Sequence, residues 1–476
     1  MLLNTLYLPE LREMIASDDR EGLRDFCGAL HPARVAEFME GLDAQESWRV
    51  LLAADPELQT ELFGYLDPQK QTEVVHNVAE AGDQQAISRL VVDMPADDRV
   101  DLLYRVDNSV VDELLPLFPR DDRHETLRLL EFPEGTAGSK MTTEVAKLSE
   151  KLTVREALEE IAHQSEDLET IFYLYVVDEG GRLQGLVSAR QLVVHFRKPD
   201  TPIAELMQRD VVTVRANDDQ EAVAEKVAAY DFLAIPVVDD ERKLLGIITH
   251  DDIIDVLRAE ATEDAHLAVG VAPLEGGYLD THWFTLAWKR GMWLAILFFA
   301  ALLTALALRN YEGDFQKAAW LVLFIPLVIS SGGNSGSQSA TLVIRGLTDG
   351  DVRLGDWRRV LKRELVMGLC LGTTLATAGY FCAVLLTRSA LPEGADAVAI
   401  AAESPPPTMG EVLVVPITLL LVVLCGTLSG GVLPLVFQRL GLDPALMSNA
   451  LVAGIIDIAG IIIYMTVAVW MVSGLG

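Results

Sequence analysis

The sequence has few of the residues that build disulfide frameworks or transition-metal sites. Its four cysteines form no CxxC pair, and its eight histidines form no HExxH motif. Three of the cysteines, Cys370, Cys382 and Cys425, fall in long apolar stretches. These features exclude a disulfide scaffold and a conventional zinc site, and no Ser/His/Asp set or P-loop is present. We therefore expect that the protein is not an enzyme.

Basic residues are also scarce, and the imbalance is uneven along the chain. Residues 1–270 carry 26 Lys and Arg against 56 Asp and Glu, whereas residues 271–476 carry 12 against 14. The first part, with a net charge of −30, should repel nucleic acid and attract cations. The first thirty residues lack a basic start followed by an apolar run, so we expect no signal peptide and a cytoplasmic N-terminal part.

The first 138 residues have the periodicity of helices. Apolar residues recur at spacings of three and four, as in Val35, Phe38, Met39 and Leu42. Pro and Asp recur between these segments, at positions typical of a first helical turn. We predict an acidic helical domain over residues 1–138, folded as a small superhelix of helical hairpins.

Residues 139–250 alternate helical and strand-like segments in two copies. Three features recur at an offset of 61 residues, namely Asp178 and Asp239, Gly185 and Gly246, and Ser188 and Thr249. This repeat resembles a tandem pair of CBS domains. Such pairs often bind adenine nucleotides through a G-x-x-[ST]-x-x-D element, which the second copy keeps as Gly246, Thr249 and Asp252. The first copy has Gln191 in place of the acid, so a purely structural pair stays an alternative to an ATP site.

An acidic connecting helix should occupy residues 251–273, and residues 274–476 should form a membrane domain. Five apolar stretches there are long enough to cross a bilayer, about 291–308, 318–344, 365–386, 412–437 and 446–472. Lys289, Arg345, Arg358 and Arg439 fall on one side, which indicates a cytoplasmic N-terminus and an external C-terminus. The fold class is therefore a multidomain α and α+β membrane protein.

One carboxylate lies within the fifth stretch. Asp457 would cost at least about 2.5 kcal/mol near the middle of a membrane helix, so it should face a bundle interior or water. We expect no second acid buried within the spans and no basic partner for Asp457 at mid-depth. The second stretch contains a run of Gly, Ser and Asn around Gly333 and Asn334, which suits a close helix crossing or a pore wall.

The order of these parts, with the motifs GGNSGSQSATLVIR and SNALVAGIIDIAG, resembles the MgtE family of magnesium channels over nearly the whole chain. The resemblance implies a homodimer in the plasma membrane with a Mg²⁺ pore on its axis, at which Asp457, Asn449, Asn334 and Gly333 would line the ion path. It also implies that the connecting helix plugs the pore when cytosolic Mg²⁺ is high. The carboxylates that would bind Mg²⁺ for this purpose are Asp97, Asp101, Asp219, Glu221, Asp231, Asp252, Asp255, Glu260, Glu263 and Asp264.

Two other functions stay open at this point. An ion-coupled secondary transporter of divalent cations such as Co²⁺ or Mn²⁺ could also use a membrane carboxylate, although five spans show no inverted repeat. A nucleotide-sensing membrane receptor would keep the CBS pair and would not need Asp457. Oxygen ligands suit Mg²⁺, but they do not rank it above Mn²⁺, Co²⁺ or Ca²⁺. We expect a second copy of the chain, Mg²⁺ ions and membrane lipid as partners, and no nucleic acid.

Overall fold

A computed structural model describes residues 5–164, 168–274, 277–279, 281–389, 407–446, 449–472 and 475. The chain divides into two compact units, residues 1–259 and 260–476. The first unit contains the acidic helices and two small sheets, and the second contains the long apolar helices.

The N-terminal part of the first unit is an array of short helices, which confirms the helical prediction. Their bounds are Leu8–Ala16 (α1), Arg20–Ala29 (α2), Pro32–Met39 (α3), Ala44–Leu51 (α4), Pro56–Gly64 (α5), Pro68–Glu80 (α6), Gln84–Val92 (α7), Ala96–Arg105 (α8), Asn108–Leu114 (α9) and Arg120–Leu129 (α10). Pro32, Pro56 and Pro68 each stand at a first helical position, where the missing N–H costs nothing. The apolar faces meet in one core, in which Leu51 and Phe63 are fully buried.

The rest of the first unit contains the predicted repeat. The first copy consists of strands Val145–Ser149 (β1), Thr170–Val177 (β2) and Leu183–Ser188 (β3) with helices Val154–Gln164 (α11) and Ala189–His195 (α12). The second consists of helices Ile203–Leu206 (α13) and Gln220–Tyr230 (α14) with strands Val214–Arg215 (β4), Ala234–Val238 (β5) and Leu244–Thr249 (β6). In both sheets the first pair is parallel and the second antiparallel, so the two copies share one topology.

A helix from His250–Ala268 (α15) follows β6 directly and carries the chain into the second unit. The helices of that unit are Trp283–Arg309 (α16), Glu312–Lys317 (α17), Ile325–Thr348 (α18), Trp357–Ser389 (α19), Val414–Arg439 (α20) and Asn449–Met471 (α21). Five stretches are long and apolar enough to cross a membrane, at Trp283–Arg309, Ala319–Thr348, Leu354–Leu386, Glu411–Arg439 and Asn449–Met471. The prediction of five spans is confirmed.

Glycines allow α18 and α20 to approach until their backbones touch. A Cβ built on Gly426 would lie 2.5 Å from the carbonyl oxygen of Gly332, and one on Gly430 would lie 2.1 Å from that of Gly336. Contacts this close are possible only without side chains, and they are typical of helix packing in membranes. The close crossing expected from the Gly-rich run of α18 is therefore present.

The expectation of no second buried acid in the spans is wrong. Glu364, in the second turn of α19, is only 8% exposed. The sequence pattern misled us because the predicted third span began at Leu365, whereas the helix begins eight residues earlier and turns Glu364 inward.

Candidate functional site

Asp457 lies in the first half of α21, half-buried and directed toward α18. A Cβ built on Gly333 would lie 3.4 Å from Oδ1 of Asp457 and 3.4 Å from Cβ of Ala453. Gly333 thus leaves room beside the carboxylate that any larger residue would fill. Among the described residues, no basic side chain is paired with Asp457.

The start of α21 is tied to α18 through Asn449. Thr341 Oγ1 donates to Asn449 Oδ1 at 2.8 Å, and Ser337 Oγ donates to the Asn449 carbonyl oxygen at 2.9 Å. Gly333, Ser337 and Thr341 are spaced by four residues, so this face of α18 runs along the α21 face that carries Asn449 and Asp457. The sequence reading missed Ser337 and Thr341, although this spacing could have identified them.

The adjoining face of α18 is polar and exposed. Asn334, Gln338 and Thr341 are exposed, and Asn334 Nδ2 donates only to Ser330 Oγ of its own helix, at 3.3 Å. A polar stripe along a membrane helix requires water or another polar surface, because lipid offers no hydrogen bonds. Asn334 therefore lies beside the Asp457 region without contacting that carboxylate.

The first unit contains a second group of predicted residues, at a cavity of about 790 Å³. Asp97 and Asp98 from the first turn of α8, and Asp252 and Asp255 from the first turns of α15, line it. The cavity wall contains five further carboxylates, and neither these nor Asp98 were predicted as ligands: Glu57, Glu61, Asp93, Glu169 and Asp251. No Lys, Arg or His is among the described lining residues, so the cavity is strongly electronegative.

Burial raises the pKa of several of these carboxyls. It raises the pKa of Asp98 and of Asp252 to about 6, and that of Glu169 to about 7, with neighbouring carboxylates adding to the effect. Burial also raises the pKa of Asp97 well above its usual range, and the negative charge of Asp252 adds most to this effect. Asp97 is 7% exposed, and its Oδ1 has no hydrogen-bond partner.

These carboxylates do not form a closed coordination shell. Within the part of the chain that the structure describes, no three His, Cys, Asp or Glu side chains are grouped closely enough to hold a metal ion. The cavity wall therefore supplies charge and oxygen atoms, and the inner ligands of a bound cation would include water.

Asp101 has a different environment from the cavity residues, although it shares α8 with them. Its Oδ2 accepts from Lys140 Nζ at 2.7 Å. Asp219 is the N-cap of α14, where its side chain accepts from the Glu221 N–H, and Asp231 ends the same helix with a positive φ of 54°. Because eleven residues of helix span about 16 Å, these groups cannot share one ion within a single chain.

The second unit brings Glu260, Glu263 and Asp264 of α15 near Asp443, which precedes α21. Burial raises the pKa of Glu263 and of Asp264, and in both cases the negative charge of Asp443 adds to the shift. Arg345 at the end of α18 opposes the shift of Asp264. Asp443 was not among the predicted residues, because its exposed position in a loop gave no pattern.

The three residues of the predicted nucleotide element, Gly246, Thr249 and Asp252, have different environments in the structure. Gly246 is required by packing, since a Cβ there would lie 2.3 Å from the Thr142 carbonyl oxygen. Thr249 Oγ1 donates to Asp252, which faces the acidic cavity. In the first copy, Ser188 and Gln191 form a capping box at the start of α12, so Gln191 has a structural role there.

A small cleft lies within the repeat and is lined by two aromatic rings. Its volume is about 130 Å³, and Tyr173, Phe232 and Pro236 line it, whereas Thr249 and Asp252 do not. A cavity of about 640 Å³ shares Asp210 and Val211 with this cleft. Three basic residues, Arg215, Lys226 and Arg242, line the larger cavity together with four aspartates. Asp240 is ion-paired with Arg215, and Asp218 with Lys226.

Family models match the acidic helices, the repeat and most of the membrane helices. Residues 325–467 match the model MgtE, described as a divalent cation transporter, and residues 30–135 match the MgtE intracellular N domain. Residues 137–198 and 203–259 match the CBS domain.

Curated relatives align over almost the full length. The chain is 35% identical to the magnesium transporter MgtE of Thermus thermophilus, over 96% of this chain and 97% of the relative. It is 29% identical to MgtE of Bacillus subtilis, over 96% of each chain. A crystal structure of the cytosolic domain of the Mg²⁺ channel MgtE in complex with ATP is 34% identical, with a TM-score of 0.48, and covers 52% of this chain and 98% of that chain.

Proposed function

This chain belongs to the MgtE family of divalent cation transporters, and we propose that it is a Mg²⁺ channel closed by Mg²⁺ bound to its acidic first unit. In this proposal two copies of the chain form the pore, and each contributes the polar face of α18 and the Asp457 face of α21. The N-terminal unit lies in the cytoplasm, and the C-terminus lies outside.

The observation that supports the pore is the environment of Asp457. An unpaired carboxylate in a membrane helix, beside a glycine and an exposed polar stripe, is costly unless it faces water or a cation. Mg²⁺ prefers oxygen ligands and keeps part of its water shell, so carboxylate and amide oxygens suit a hydrated ion. A two-fold axis would pair two Asp457 carboxylates opposite one divalent ion.

Mg²⁺ flux into vesicles containing the purified full chain tests the pore. Asp457→Asn keeps the size of the side chain and removes its charge, and we expect flux to fall by about tenfold or more. Thr466→Ala is a matched control, because Thr466 is exposed on the same helix and donates only to the Ile462 carbonyl oxygen. Wild-type flux through Asp457→Asn would contradict the proposed pore.

The same assay separates a channel from the coupled transporter, which the buried Glu364 makes a stronger alternative than the sequence suggested. Flux through a channel follows the Mg²⁺ gradient and the membrane voltage alone. A requirement for an opposing proton or sodium gradient would favour the coupled transporter.

The gate is supported by the acidic cavity of the first unit. Nine carboxylates line it, no basic residue is among its described lining residues, and the buried Asp97 carries an unpartnered oxygen. A divalent cation there would offset the repulsion between α8 and α15 and hold α15 in place. The carboxylates near Asp443 in the second unit would bind a further cation at the other end of α15.

Inhibition of flux by Mg²⁺ on the cytoplasmic side tests the gate. The double variant Asp97→Asn, Asp252→Asn should need about tenfold more Mg²⁺ for half-inhibition, because two of the cavity's charges are lost. Asp101→Asn is the control on the same helix, since Asp101 is already paired with Lys140. Unchanged inhibition in the double variant would contradict this gate.

We also propose that ATP binds the CBS pair, with its base in the cleft between Tyr173 and Phe232. The cleft is large enough for a base but smaller than typical ligand pockets of about 300 Å³ or more. Arg242 in the adjoining cavity could contact the phosphates directly, whereas Arg215 and Lys226 would first have to leave their ion pairs with Asp240 and Asp218. Calorimetry with ATP and adenosine tests this proposal: Phe232→Ala should weaken both ligands, and Arg215→Gln should weaken ATP alone.

A further inference from the structure

Glu364 is buried in a helix that exposes most of its large apolar side chains. The side chain is 8% exposed, whereas the next three residues, Leu365, Val366 and Met367, are all exposed. Burying a carboxylate in a membrane helix is costly, so a buried acid there indicates a functional role.

Three helices meet at this carboxylate. The Ser339 hydroxyl of α18 donates to Oε2 of Glu364, and Thr427 Oγ1 of α20 donates to the Glu364 backbone carbonyl oxygen at 3.3 Å. Gly431 of α20 makes room for the side chain, since a Cβ there would lie 2.6 Å from Cγ of Glu364. Ser339 is 5% exposed, so water has little access to this hydrogen bond.

The contact between α18 and α20 is made largely at glycines. Gly332 and Gly336 of α18 lie against Gly426 and Gly430 of α20, backbone to backbone, and Val422 of α20 packs against Gly332. Side chains that fill the grooves of a neighbouring helix help to fix its register. The hydrogen bond from Ser339 to Glu364 adds a directional constraint from a third helix to this packing.

Rotation of α18 about its axis would change its contacts, because its faces pack against different helices. Gly333, Ser337 and Thr341 contact the Asn449 and Asp457 face of α21, whereas Ser339 points to α19. One residue corresponds to a rotation of about 100°, so even a partial turn would separate Thr341 from Asn449.

We infer that Glu364 is a positioning residue for the ion path, which it serves by fixing the rotation and register of α18 through Ser339. This inference rests on the proposed pore between α18 and α21. Glu364 itself does not contact the permeating ion.

Ion selectivity of the full chain in vesicles is the readout, because a role limited to stability would not change it. Ser339→Ala and Glu364→Ala should each lower the ratio of Mg²⁺ flux to K⁺ flux by about tenfold, the equivalent of one hydrogen bond to a charged group. Glu364→Gln should keep the wild-type ratio of Mg²⁺ flux to K⁺ flux, since its amide oxygen can still accept from Ser339. Gly431→Ala should reproduce the loss by displacing the Glu364 side chain.

Thr373→Ala is the matched control on α19, because Thr373 is exposed and donates only to the Leu369 carbonyl oxygen. Should Glu364→Ala fail to fold, Ser339→Ala removes a single hydroxyl and decides the question alone. Wild-type selectivity in Ser339→Ala overturns the inference. If Asp457→Asn also conducts normally, the proposed pore fails with it, whereas loss of flux in Asp457→Asn confines the failure to Glu364.

Discussion

Asp97 and Asp101 show how two carboxylates one helical turn apart can have opposite energetic roles. Both were predicted as cation ligands from the family resemblance. In the structure Asp97 is buried against Asp252 and has an unpartnered oxygen, whereas Asp101 is paired with Lys140. The sequence could not separate them, because Lys140 and Asp252 are brought to α8 from distant parts of the chain.

Asp97→Asn should therefore stabilise the protein in the absence of Mg²⁺. Because burial raises the pKa of Asp97, holding this group in the fold at neutral pH costs free energy that the amide does not. We expect the apparent melting temperature in EDTA to rise by about 5 °C, and the further rise on adding Mg²⁺ to shrink. Asp101→Asn, which breaks an ion pair, should not raise it. Thermal unfolding of the full chain in detergent, with EDTA or MgCl₂, measures both effects.

The cavity carboxyls also predict an effect of pH on Mg²⁺ binding. The pKa is raised to about 6 for Asp98 and Asp252 and to about 7 for Glu169, above the values of the unfolded chain. Their protonated forms are favoured by folding, so stability in EDTA should rise as pH falls from about 7.5 to about 5.5. Protons then compete with the cation, and the stabilisation by Mg²⁺ should decrease over the same interval. A Mg²⁺ effect of equal size at both pH values would contradict this prediction.

At the scale of elements, the repeat was predictable because the same local chemistry builds both copies. Asp178 Oδ1 accepts from the N–H groups of Gly180 and Arg182, and Asp239 Oδ1 accepts from those of Glu241 and Lys243. Because the same turn needs an aspartate in each copy, the two aspartates recur in the sequence at the offset of the repeat. The helix ends were less predictable: α19 begins at Trp357, and the apolar pattern that located the span gave no sign of its first two turns.

The Gly-rich run of α18 predicted a close crossing, but the partner helix could not be identified from it. Gly426 and Gly430 of α20 supply the other half of the crossing, spaced one turn apart. A single run of small residues indicates that another helix approaches closely, but only the fold identifies that helix. The same limit concealed Glu364, whose partners Ser339 and Thr427 belong to two other helices.

Gly430→Ala should disrupt this crossing. The added Cβ would lie 2.1 Å from the Gly336 carbonyl oxygen, so the two backbones must separate, at a cost of about 1–3 kcal/mol for overpacking. We expect a lower apparent melting temperature and less monodisperse protein after detergent extraction. Gly410→Ala is the control, because a Cβ there meets nothing within 4 Å. Equal behaviour of the two variants would contradict the backbone contact between α18 and α20.

At the scale of the whole molecule, charge is distributed so that the first unit responds to cations. Residues 1–270 carry a net charge of −30, while residues 271–476 carry −2. Sequence counting reveals this asymmetry, but it does not distinguish general screening from binding at particular sites. The acidic cavity provides such sites, since its carboxylates lie together, Asp97 among them is buried, and no basic residue is among the described lining residues.

Scattering from the isolated residues 1–270 should therefore show compaction at about millimolar Mg²⁺, as the cation offsets repulsion between α8 and α15. Potassium chloride at the same ionic strength screens exposed charges equally well but cannot bridge buried carboxylates, so it should leave the radius of gyration nearly unchanged. Asp97→Asn combined with Asp252→Asn should shift the transition to higher Mg²⁺, whereas Asp101→Asn should not. Compaction by potassium to the same extent would mean that the −30 charge acts through screening alone, and the cavity would then have no part in closing the pore.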